Sequence, residues 1–168
     1  MSAGETRLAT ALSAVGVEVQ PGEWRMQALE PAPGILVIND AAEATPTSMA
    51  NALKVLAELA LDGSRSIAVL GELDEVGDDW RDEHDRIGRI VVRLNIAQLV
   101  VVGEGARHIH NAAGLEGSWD GESVLVDTPD EAYAVVDEVL RAGDVVLVKS
   151  SARAGLGSLG DRLGGAAA

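Results

Sequence analysis

The sequence predicts an α/β domain: a Rossmann-like, three-layer fold with a mostly parallel sheet of about six strands and helices on both faces. From residue 34 onward, short apolar runs alternate with longer amphipathic segments, as in successive right-handed βαβ units. Hydrophobic residues make up 47% of the 168 residues but aromatic residues only 2%, so aliphatic side chains must form the core. Such a core suits a parallel sheet covered by helices, and the length suits one domain.

An antiparallel pair precedes this alternation. Residues 5–15 have apolar side chains at helical spacing, and the glycines and proline that follow end this predicted helix. Residues 24–30 and 34–40 predict two strands joined by the tight turn Pro-Ala-Pro-Gly. We therefore expect the first strand to lie antiparallel at the N-terminal edge of the sheet.

The remaining elements follow from periodicity and from Gly, Pro and Asp at the boundaries. The predicted helices are residues 47–61, 82–96, 106–115, 129–142 and a short one around 155–163. The predicted strands are residues 65–73, 98–103, 123–127 and 144–151. We expect residues 1–20 to form a helix and linker, residues 21–163 the α/β domain, and residues 164–168 a flexible tail.

The composition excludes several classes of function. A formal net charge of −14 argues against a nucleic-acid-binding or anionic-membrane surface, because both need a basic face. The absence of cysteine excludes disulfides and thiolate metal sites. No apolar run approaches the roughly 18 residues of a spanning helix, and the N-terminus lacks a signal-peptide pattern, so we expect a cytoplasmic protein without membrane insertion. A single phosphate group remains a possible ligand, since a helix N-terminus and a few cations can hold it.

The carboxyl ends of parallel strands meet at one edge of the sheet, where open α/β folds bind ligands. The first candidate at this edge is the segment INDAAEATP, in which Asn39 and Asp40 end a strand and Thr45 precedes a helix. Asp40 suits hydrogen bonds to sugar hydroxyls or the orientation of a cation. In the alternative interpretation, Asn39 and Asp40 shape the turn and Thr45 caps the helix. Spacing alone favours the structural interpretation.

The second candidate is the segment VVLVKSSARAGL. Lys149 ends a buried strand, and Ser151 and Arg153 follow it, in a chain with 13 basic and 27 acidic residues. Cations and hydroxyls at a strand end suit the recognition of an anion. The alternative is a solvated strand end whose long cationic side chains lie along apolar surface. The scarcity of positive charge elsewhere favours the anion site.

The segment GLGSLG, residues 155–160, matches the dinucleotide-binding pattern GxGxxG but not its context. It does not lie in a strand-helix turn, and too few residues follow it for a second strand and a ribose-binding acid. The pattern GxxxxGK[ST] does not occur, so the sequence offers no P-loop for nucleotide phosphates.

The three histidines, His84, His108 and His110, are candidates for metal binding or for catalysis. His108 and His110 are two residues apart on a predicted helix, where side chains diverge, and no carboxylate cluster accompanies them. We therefore expect no metal site there. His84 lies among acidic residues near a helix start; it is either a functional group or a partly exposed residue with a raised pKa.

Four blocks, in this order, resemble the C-terminal domain of the Mur ligases from about residue 22 to residue 163. EWRMQALEPAPGILVIND is similar to the segment that enters that domain, with Arg25 and Asp40 at matching positions. AVLGELDEVGDDWRDEHDRIGR is similar to the pattern LG(E/D)MxELG followed by His and Gly, here His84 and Gly88. LVVVGEGAR and GDVVLVKSSARAGL resemble the last two blocks.

The resemblance implies the third domain of an ATP-dependent, amide-bond-forming ligase of peptidoglycan synthesis. In the branch it resembles most, ATP phosphorylates the carboxylate of UDP-N-acetylmuramoyl-tripeptide, and the amino group of D-alanyl-D-alanine attacks the acyl phosphate. A central domain supplies the P-loop and the Mg²⁺ ligands, and an N-terminal domain holds the UDP-sugar. The third domain closes over ATP and positions the amine. The implied partners are these two domains, in the same native chain or in a separate protein.

The resemblance also implies roles for individual side chains, although no catalytic set is complete in this chain, which we expect to be inactive alone. The implied nucleotide-binding residues are Arg25, Asn39 and Asp40. The implied substrate-binding residues are Thr45, His84, Lys149, Ser151 and Arg153.

The chain departs from the family pattern D(S/A)YNANP. Ala42 replaces the tyrosine, and Glu43 and Thr45 replace the two asparagines, while the aspartate and the proline remain. The Ser-Arg pair of the last block becomes Ser-Ala-Arg at residues 151–153, which moves the guanidinium group by one residue. Two hypotheses follow: a domain of an active ligase, or a non-catalytic binding or regulatory module derived from it. An unrelated flavodoxin-like or nucleotide-binding domain is a third, and it would lack the antiparallel edge strand.

Overall fold

The computed structural model describes residues 1–74 and 76–166 and contains one six-stranded sheet. The strands are β1 (Gln27–Leu29), β2 (Leu36–Asp40), β3 (Arg65–Leu70), β4 (Gln98–Val102), β5 (Glu122–Val126) and β6 (Asp144–Lys149). The helices are α1 (Ala3–Val15), α2 (Pro46–Leu59), α3 (Trp80–Arg93), α4 (Arg107–Gly114), α5 (Pro129–Val139) and α6 (Gly157–Leu163). The strand order is β1-β2-β6-β3-β4-β5, with β1 antiparallel and the other strands parallel. The predicted fold class is confirmed.

The strand order determines which face of the sheet each helix covers. The chain passes from β2 to β5 in one direction, so right-handed crossovers place α2, α3 and α4 on one face. It then returns to place β6 between β2 and β3, which puts α5 on the opposite face, where α6 joins it. Two apolar cores result: one contains Leu53 of α2 and Ile109 of α4, and the other contains Val136 of α5 and Leu159 of α6.

The two ends of the chain pack onto this domain. Leu8 and Leu12 of α1 are buried in the same core as Leu53 of α2, so the N-terminal helix shares the core of the sheet. After α6, the amide of Ala166 donates to the carbonyl of Asp161 at 2.9 Å. The expected flexible tail, residues 164–168, therefore begins with residues bonded to α6, and its last two residues lie outside the described residues.

The first strand is shorter than the predicted range of residues 24–30. Residues 22–26, here called the Arg25 turn, form a tight turn in which Gly22 and Arg25 exchange backbone hydrogen bonds of 2.9 and 3.1 Å. Trp24 and Met26 have φ angles of 57° and 44°. The sequence pattern did not predict this turn, because residues other than glycine rarely adopt a positive φ. Only Gln27–Leu29 pair with β2, as the expected antiparallel edge.

The helix ends follow local capping interactions. Thr45 precedes α2: its hydroxyl accepts from the amide of Ser48 at 3.1 Å, and the Ser48 hydroxyl accepts from the amide of Thr45 at 3.0 Å. This reciprocal pair is a capping box. α3 ends at Arg93, before the predicted end at residue 96, because Asn95 reverses the chain with a φ of 53°. Among the described residues, no helix is long and apolar enough to cross a membrane.

The contact between α3 and α4 depends on Gly88. A Cβ atom at this position would lie 2.3 Å from the carbonyl oxygen of Ile109 and 2.9 Å from the Cβ of Ala112. The carbonyl belongs to the backbone of a helix, which cannot shift alone. Glycine therefore sets the distance between the two helices, and the match of Gly88 to the family pattern has a packing reason.

We predict that Gly88→Ala lowers the free energy of unfolding by about 2 kcal/mol, because the added methyl group overpacks the α3–α4 contact. Urea denaturation followed by circular dichroism measures the change. Gly114→Ala is the matched control: Gly114 is also helical, but a Cβ there would meet no atom within 4 Å. It should change stability by less than about 1 kcal/mol. Equal effects of the two substitutions would contradict the packing role.

Candidate functional site at the carboxyl edge of the sheet

A buried ion pair joins the carboxyl ends of β2 and β6. Asp40 and Lys149 are register partners on these adjacent strands. The Lys149 Nζ donates to Asp40 Oδ2 at 2.7 Å and to the carbonyl of Glu43 at 3.0 Å. The two side chains are only 3% and 9% exposed. The charge of Lys149 is therefore neutralised inside the chain, and its ammonium group also fixes the loop after β2.

Asp40 also fixes the Arg25 turn. Its second carboxylate oxygen, Oδ1, accepts from the backbone amide of Met26 at 3.0 Å. The carbonyl of Trp24 accepts from the amide of Ala42 at 3.0 Å, so the turn and the loop after β2 also contact each other directly. The Asp40 carboxylate thus connects β6 to the Arg25 turn, and the Lys149 ammonium group connects both to the loop after β2.

Arg25 projects from this turn into solvent. Its side chain is 52% exposed, and its guanidinium group lies 4.0 Å from the Glu43 carboxylate, which is itself exposed. An exposed pair at that distance contributes little to stability, because water and salt screen it. The turn therefore holds the backbone of Arg25 firmly while its cationic group stays accessible to a ligand.

The loop after β3 and the segment after β6 complete the edge. Arg153 donates to Glu72 Oε1 at 2.9 Å while 73% of its side chain is exposed. The amide of Ser151 donates to the carbonyl of Glu72 at 2.8 Å. Ser151 itself is fully buried, and its hydroxyl accepts from the amide of Ala154 at 3.3 Å. Ser151 therefore shapes the segment that carries Arg153, and its hydroxyl is committed within the chain.

A second set of bonds ties the loops after β2 and β3 together. The carboxylate of Asp74 accepts from the amide of Ala44 at 2.9 Å, and the amide of Asp74 donates to the carbonyl of Ala44 at 2.7 Å. The sequence gave no signal for this role, because Asp74 lies in an acidic run that resembled a solvated loop. The two loops form one connected rim above the sheet.

Asn39 points away from this edge. Its side chain is fully buried, and Nδ2 donates to the carbonyl of Gly157 at 2.9 Å and to Asp161 Oδ1 at 3.1 Å, both on α6. Neighbouring residues of a strand face opposite sides of the sheet, so Asn39 cannot share the environment of Asp40. The structure therefore places it at the β2–α6 contact and not at the rim, where a nucleotide-binding side chain was expected.

His84 is enclosed in the core beneath the loop after β3. It is 0% exposed; Nε2 accepts from the amide of Leu73 at 3.1 Å, and Nδ1 donates to the carbonyl of Trp80. An amide can only donate, so the ring is neutral and carries its proton on Nδ1. Burial lowers the pKa of His84 below its ordinary value of 6.5. The expectation of a partly exposed histidine with a raised pKa is wrong, because the helix turns this side chain inward.

The pair His108 and His110 has separate surroundings. His108 Nδ1 lies 3.5 Å from Asp85 Oδ1 on α3, whereas His110 Nδ1 lies 2.6 Å from the Ser123 hydroxyl on β5. Within residues 1–74 and 76–166, no three His, Asp or Glu side chains are grouped to hold a metal ion.

Comparison with known proteins identifies the family to which this arrangement belongs. Residues 24–152 match the family described as Mur ligase, glutamate ligase domain. This chain belongs to the Mur ligase family. The match runs from the Arg25 turn to the segment after β6, so it includes every strand of the sheet and both ends of the Asp40–Lys149 pair.

Individual Mur ligases show what share of a relative's length this chain matches. It is 43% identical over 171 residues to the UDP-N-acetylmuramoyl-tripeptide–D-alanyl-D-alanine ligase of Mycobacterium leprae, which covers 94% of this chain and 32% of that protein. The crystal structure of MurF from Acinetobacter baumannii matches with a TM-score of 0.72 at 25% identity, covering 88% of this chain and 32% of that one. MurF from Thermotoga maritima in complex with ADP has the same fold, with a TM-score of 0.69 at 18% identity over 92% and 35% of the two chains. The chain spans about a third of the length of these relatives.

We predict that Lys149→Met lowers the free energy of unfolding of this Mur ligase domain by about 3 kcal/mol, because it leaves the Asp40 carboxylate buried without its cation. The double variant Asp40→Asn/Lys149→Met should regain at least half of that loss, since the introduced amide oxygen still accepts from Met26 and no buried charge remains. Urea titrations of the native chain and both variants test this. A double variant less stable than Lys149→Met would show that the pair itself is not what matters.

His84 should make stability depend on pH. The pKa of His84 is lower in the folded chain than its ordinary value of 6.5. The contribution of His84 to the free energy of unfolding is therefore fully present above pH 6.5, and it is lost as the pH falls from there through the folded pKa. We expect the free energy of unfolding, measured in urea, to fall more steeply between about pH 6.5 and 5 in the native chain than in His84→Gln. The same slope in both chains would contradict this assignment.

Proposed function

We propose that this chain is the third domain of an ATP-dependent ligase that joins D-alanyl-D-alanine to UDP-N-acetylmuramoyl-tripeptide through an acyl phosphate. The name of the Mycobacterium leprae relative, at 43% identity, supports this substrate pair. One observation carries the proposal: the exposed Arg25 stands on a turn that the buried Asp40–Lys149 pair fixes at the carboxyl edge of the sheet. This is where open α/β sheets bind ligands.

The role we assign to Arg25 is to contact the ATP phosphates when the domain closes. A guanidinium group offers several donors in a plane and forms paired hydrogen bonds to phosphate oxygens. A rigid backbone with an accessible side chain suits this role, because less conformational entropy is lost on binding. Asp40 and Lys149 contribute through the turn and loop they hold, since their own charged atoms contact each other and nearby backbone groups.

The roles we assign to the loops after β3 and β6 concern the amine and the muropeptide. Arg153 is mostly exposed and suits a substrate carboxylate, while the neighbouring Glu72 suits the ammonium form of the incoming dipeptide. Ser151, Thr45 and His84 serve this edge as supports: the first two cap local structure and His84 holds the amide of Leu73. Asn39 supports it from the opposite face through α6.

ATP and Mg²⁺ would be held mainly by other domains. The ADP-bound relative from Thermotoga maritima supports nucleotide binding, and this chain covers 35% of that protein. The described residues contain no group of three metal-ligating side chains, and the sequence contains no P-loop. We therefore propose that the P-loop and UDP-sugar domains are required partners, in the same chain or a separate one. We also propose that the reaction takes place in the cytoplasm.

A non-catalytic binding or regulatory module is the second candidate function. The observation that favours it is Glu43, which stands where the family has an asparagine and brings a carboxylate to 4.0 Å from Arg25. This negative charge competes with phosphate for the guanidinium group. A module of this kind would keep the fold and bind a partner ligase without supporting turnover.

A domain exchange tests the two candidates. We would replace the matching third of the Mycobacterium leprae ligase with this chain and measure ATP-dependent ligation of D-alanyl-D-alanine to the UDP-tripeptide. We expect the chimera to ligate, the isolated chain to be inactive, and Arg25→Ala to lower kcat/KM of the chimera at least about tenfold, through lost charge-assisted hydrogen bonds.

Two controls make the result decisive. Arg86→Ala removes an exposed guanidinium group that pairs with Glu83 within α3, and it should leave kcat/KM within about twofold of the chimera. A chimera that folds and binds the UDP-tripeptide but does not ligate would contradict the ligase proposal and support the regulatory module. Ligation unaffected by Arg25→Ala would contradict the role of Arg25.

A further inference from the structure

The Arg25 turn has an unusual backbone for its residue types. Trp24 and Met26, the residues on either side of Arg25, both have positive φ, and neither is glycine. Side chains with a Cβ disfavour this conformation, so surrounding contacts must impose it. Such outliers concentrate at sites where one side chain must be presented in a defined way. The contacts that impose the conformation therefore bear on the function of Arg25.

The Trp24 side chain makes the longest-range of these contacts. Its indole Nε1 donates to Asp161 Oδ2 of α6 at 2.9 Å. Its ring lies against Gly157, where a Cβ atom would come within 2.4 Å of the ring atoms. Tryptophan at a partly buried position usually combines apolar contact with one hydrogen bond in this way. Two contacts with α6, a hydrogen bond and a ring contact, thus hold the turn at Trp24, one residue before Arg25.

Asp161 connects this contact to the sheet. Its other carboxylate oxygen, Oδ1, accepts from Asn39 Nδ2 at 3.1 Å, and Asn39 precedes Asp40 on β2. A Cβ atom at Gly160 would lie 2.2 Å from the Asn39 side chain, so only glycine lets α6 approach β2 this closely. The carboxylates of Asp161 and Asp40 therefore hold the Arg25 turn from two sides, through Trp24 and through Met26.

We propose that Trp24 and Asp161 are positioning residues that hold Arg25 in its phosphate-binding orientation, which makes α6 part of the nucleotide site. The inference rests on the proposed function of Arg25. It assigns a role to Asp161 and α6, which lie beyond the family match of residues 24–152. It also explains GLGSLG: Gly157 and Gly160 allow the helix to pack against Trp24 and Asn39. The motif contributes to nucleotide binding through Arg25 and not as a dinucleotide fingerprint.

A double-mutant cycle with MgATP as the probe separates positioning from general stabilisation. The domain-exchange ligase that carries this chain is titrated with MgATP, as are its Trp24→Phe, Arg25→Ala and double variants, and Kd is measured by calorimetry. Arg25→Ala should raise Kd about tenfold or more. Trp24→Phe, which removes the hydrogen bond to Asp161 and part of the ring contact with Gly157, should raise it about threefold to tenfold. In the Arg25→Ala background, Trp24→Phe should have no further effect, because Trp24 acts through Arg25.

The matched control is Trp119→Phe. Trp119 also donates one indole hydrogen bond, to the carbonyl of Ile96 at 2.9 Å, away from the Arg25 turn, and its loss should leave Kd unchanged. Asp161→Ala is the second test variant; it removes the acceptor of the Trp24 indole, keeps the helix and the ring contact, and should raise Kd as Trp24→Phe does. If Trp24→Phe does not fold, Asp161→Ala decides the question in the same cycle.

The outcomes distinguish failure of the inference from failure of the proposed function. If Arg25→Ala weakens MgATP binding but Trp24→Phe and Asp161→Ala do not, or if their effects add fully to that of Arg25→Ala, the positioning role is overturned and the role of Arg25 stands. If Arg25→Ala leaves the Kd of the domain-exchange ligase unchanged, the nucleotide-binding role of Arg25 fails, and the positioning role fails with it.

Discussion

The buried ion pair between Asp40 and Lys149 is the interaction on which the carboxyl edge depends. Two charges at 9% and 3% exposure are tolerated only when they pair and their remaining atoms are hydrogen-bonded. The pair meets this condition by engaging the amide of Met26 and the carbonyl of Glu43. The desolvation cost of the pair is therefore offset only when the Arg25 turn and the loop after β2 bring these two backbone groups to it. The topology makes this possible, because β6 enters the sheet beside β2.

The charged groups of the edge have two different roles. Internal hydrogen bonds occupy the carboxylates of Asp40, Asp74 and Asp161, which accept from backbone amides or from the Trp24 indole, so these residues determine where the loops lie. Arg25 and Arg153 keep exposed guanidinium groups on those loops. Glycine acts at the same places by permitting close approach, as Gly157 does beneath Trp24. The rigid part of the site is thus internal, and the exposed cations are the groups available to a ligand.

Local pattern was enough to predict the elements of the fold and the edge at which the site lies. Helical spacing located α2 and α3, and the Pro-Ala-Pro-Gly turn indicated the antiparallel edge strand. The position of β6 in the centre of the sheet depends on pairing between distant segments, which periodicity does not encode. The Arg25 turn escaped prediction because Trp24 and Met26 are not residues that usually adopt positive φ. Lys149 and His84 were expected to be accessible, but burial is decided by neighbours that the sequence does not place, such as Asp40 and Leu73.

We propose that Arg25 meets the phosphates while Lys149 remains bonded to Asp40. A crystal structure of the domain-exchange ligase with Mg²⁺ and a non-hydrolysable ATP analogue tests this. We expect the Arg25 guanidinium within hydrogen-bond distance of a phosphate oxygen, turned away from Glu43, and the Lys149 Nζ still bonded to Asp40 Oδ2. A structure in which Lys149 leaves Asp40 to bind the phosphate, with Arg25 in solvent, would contradict it.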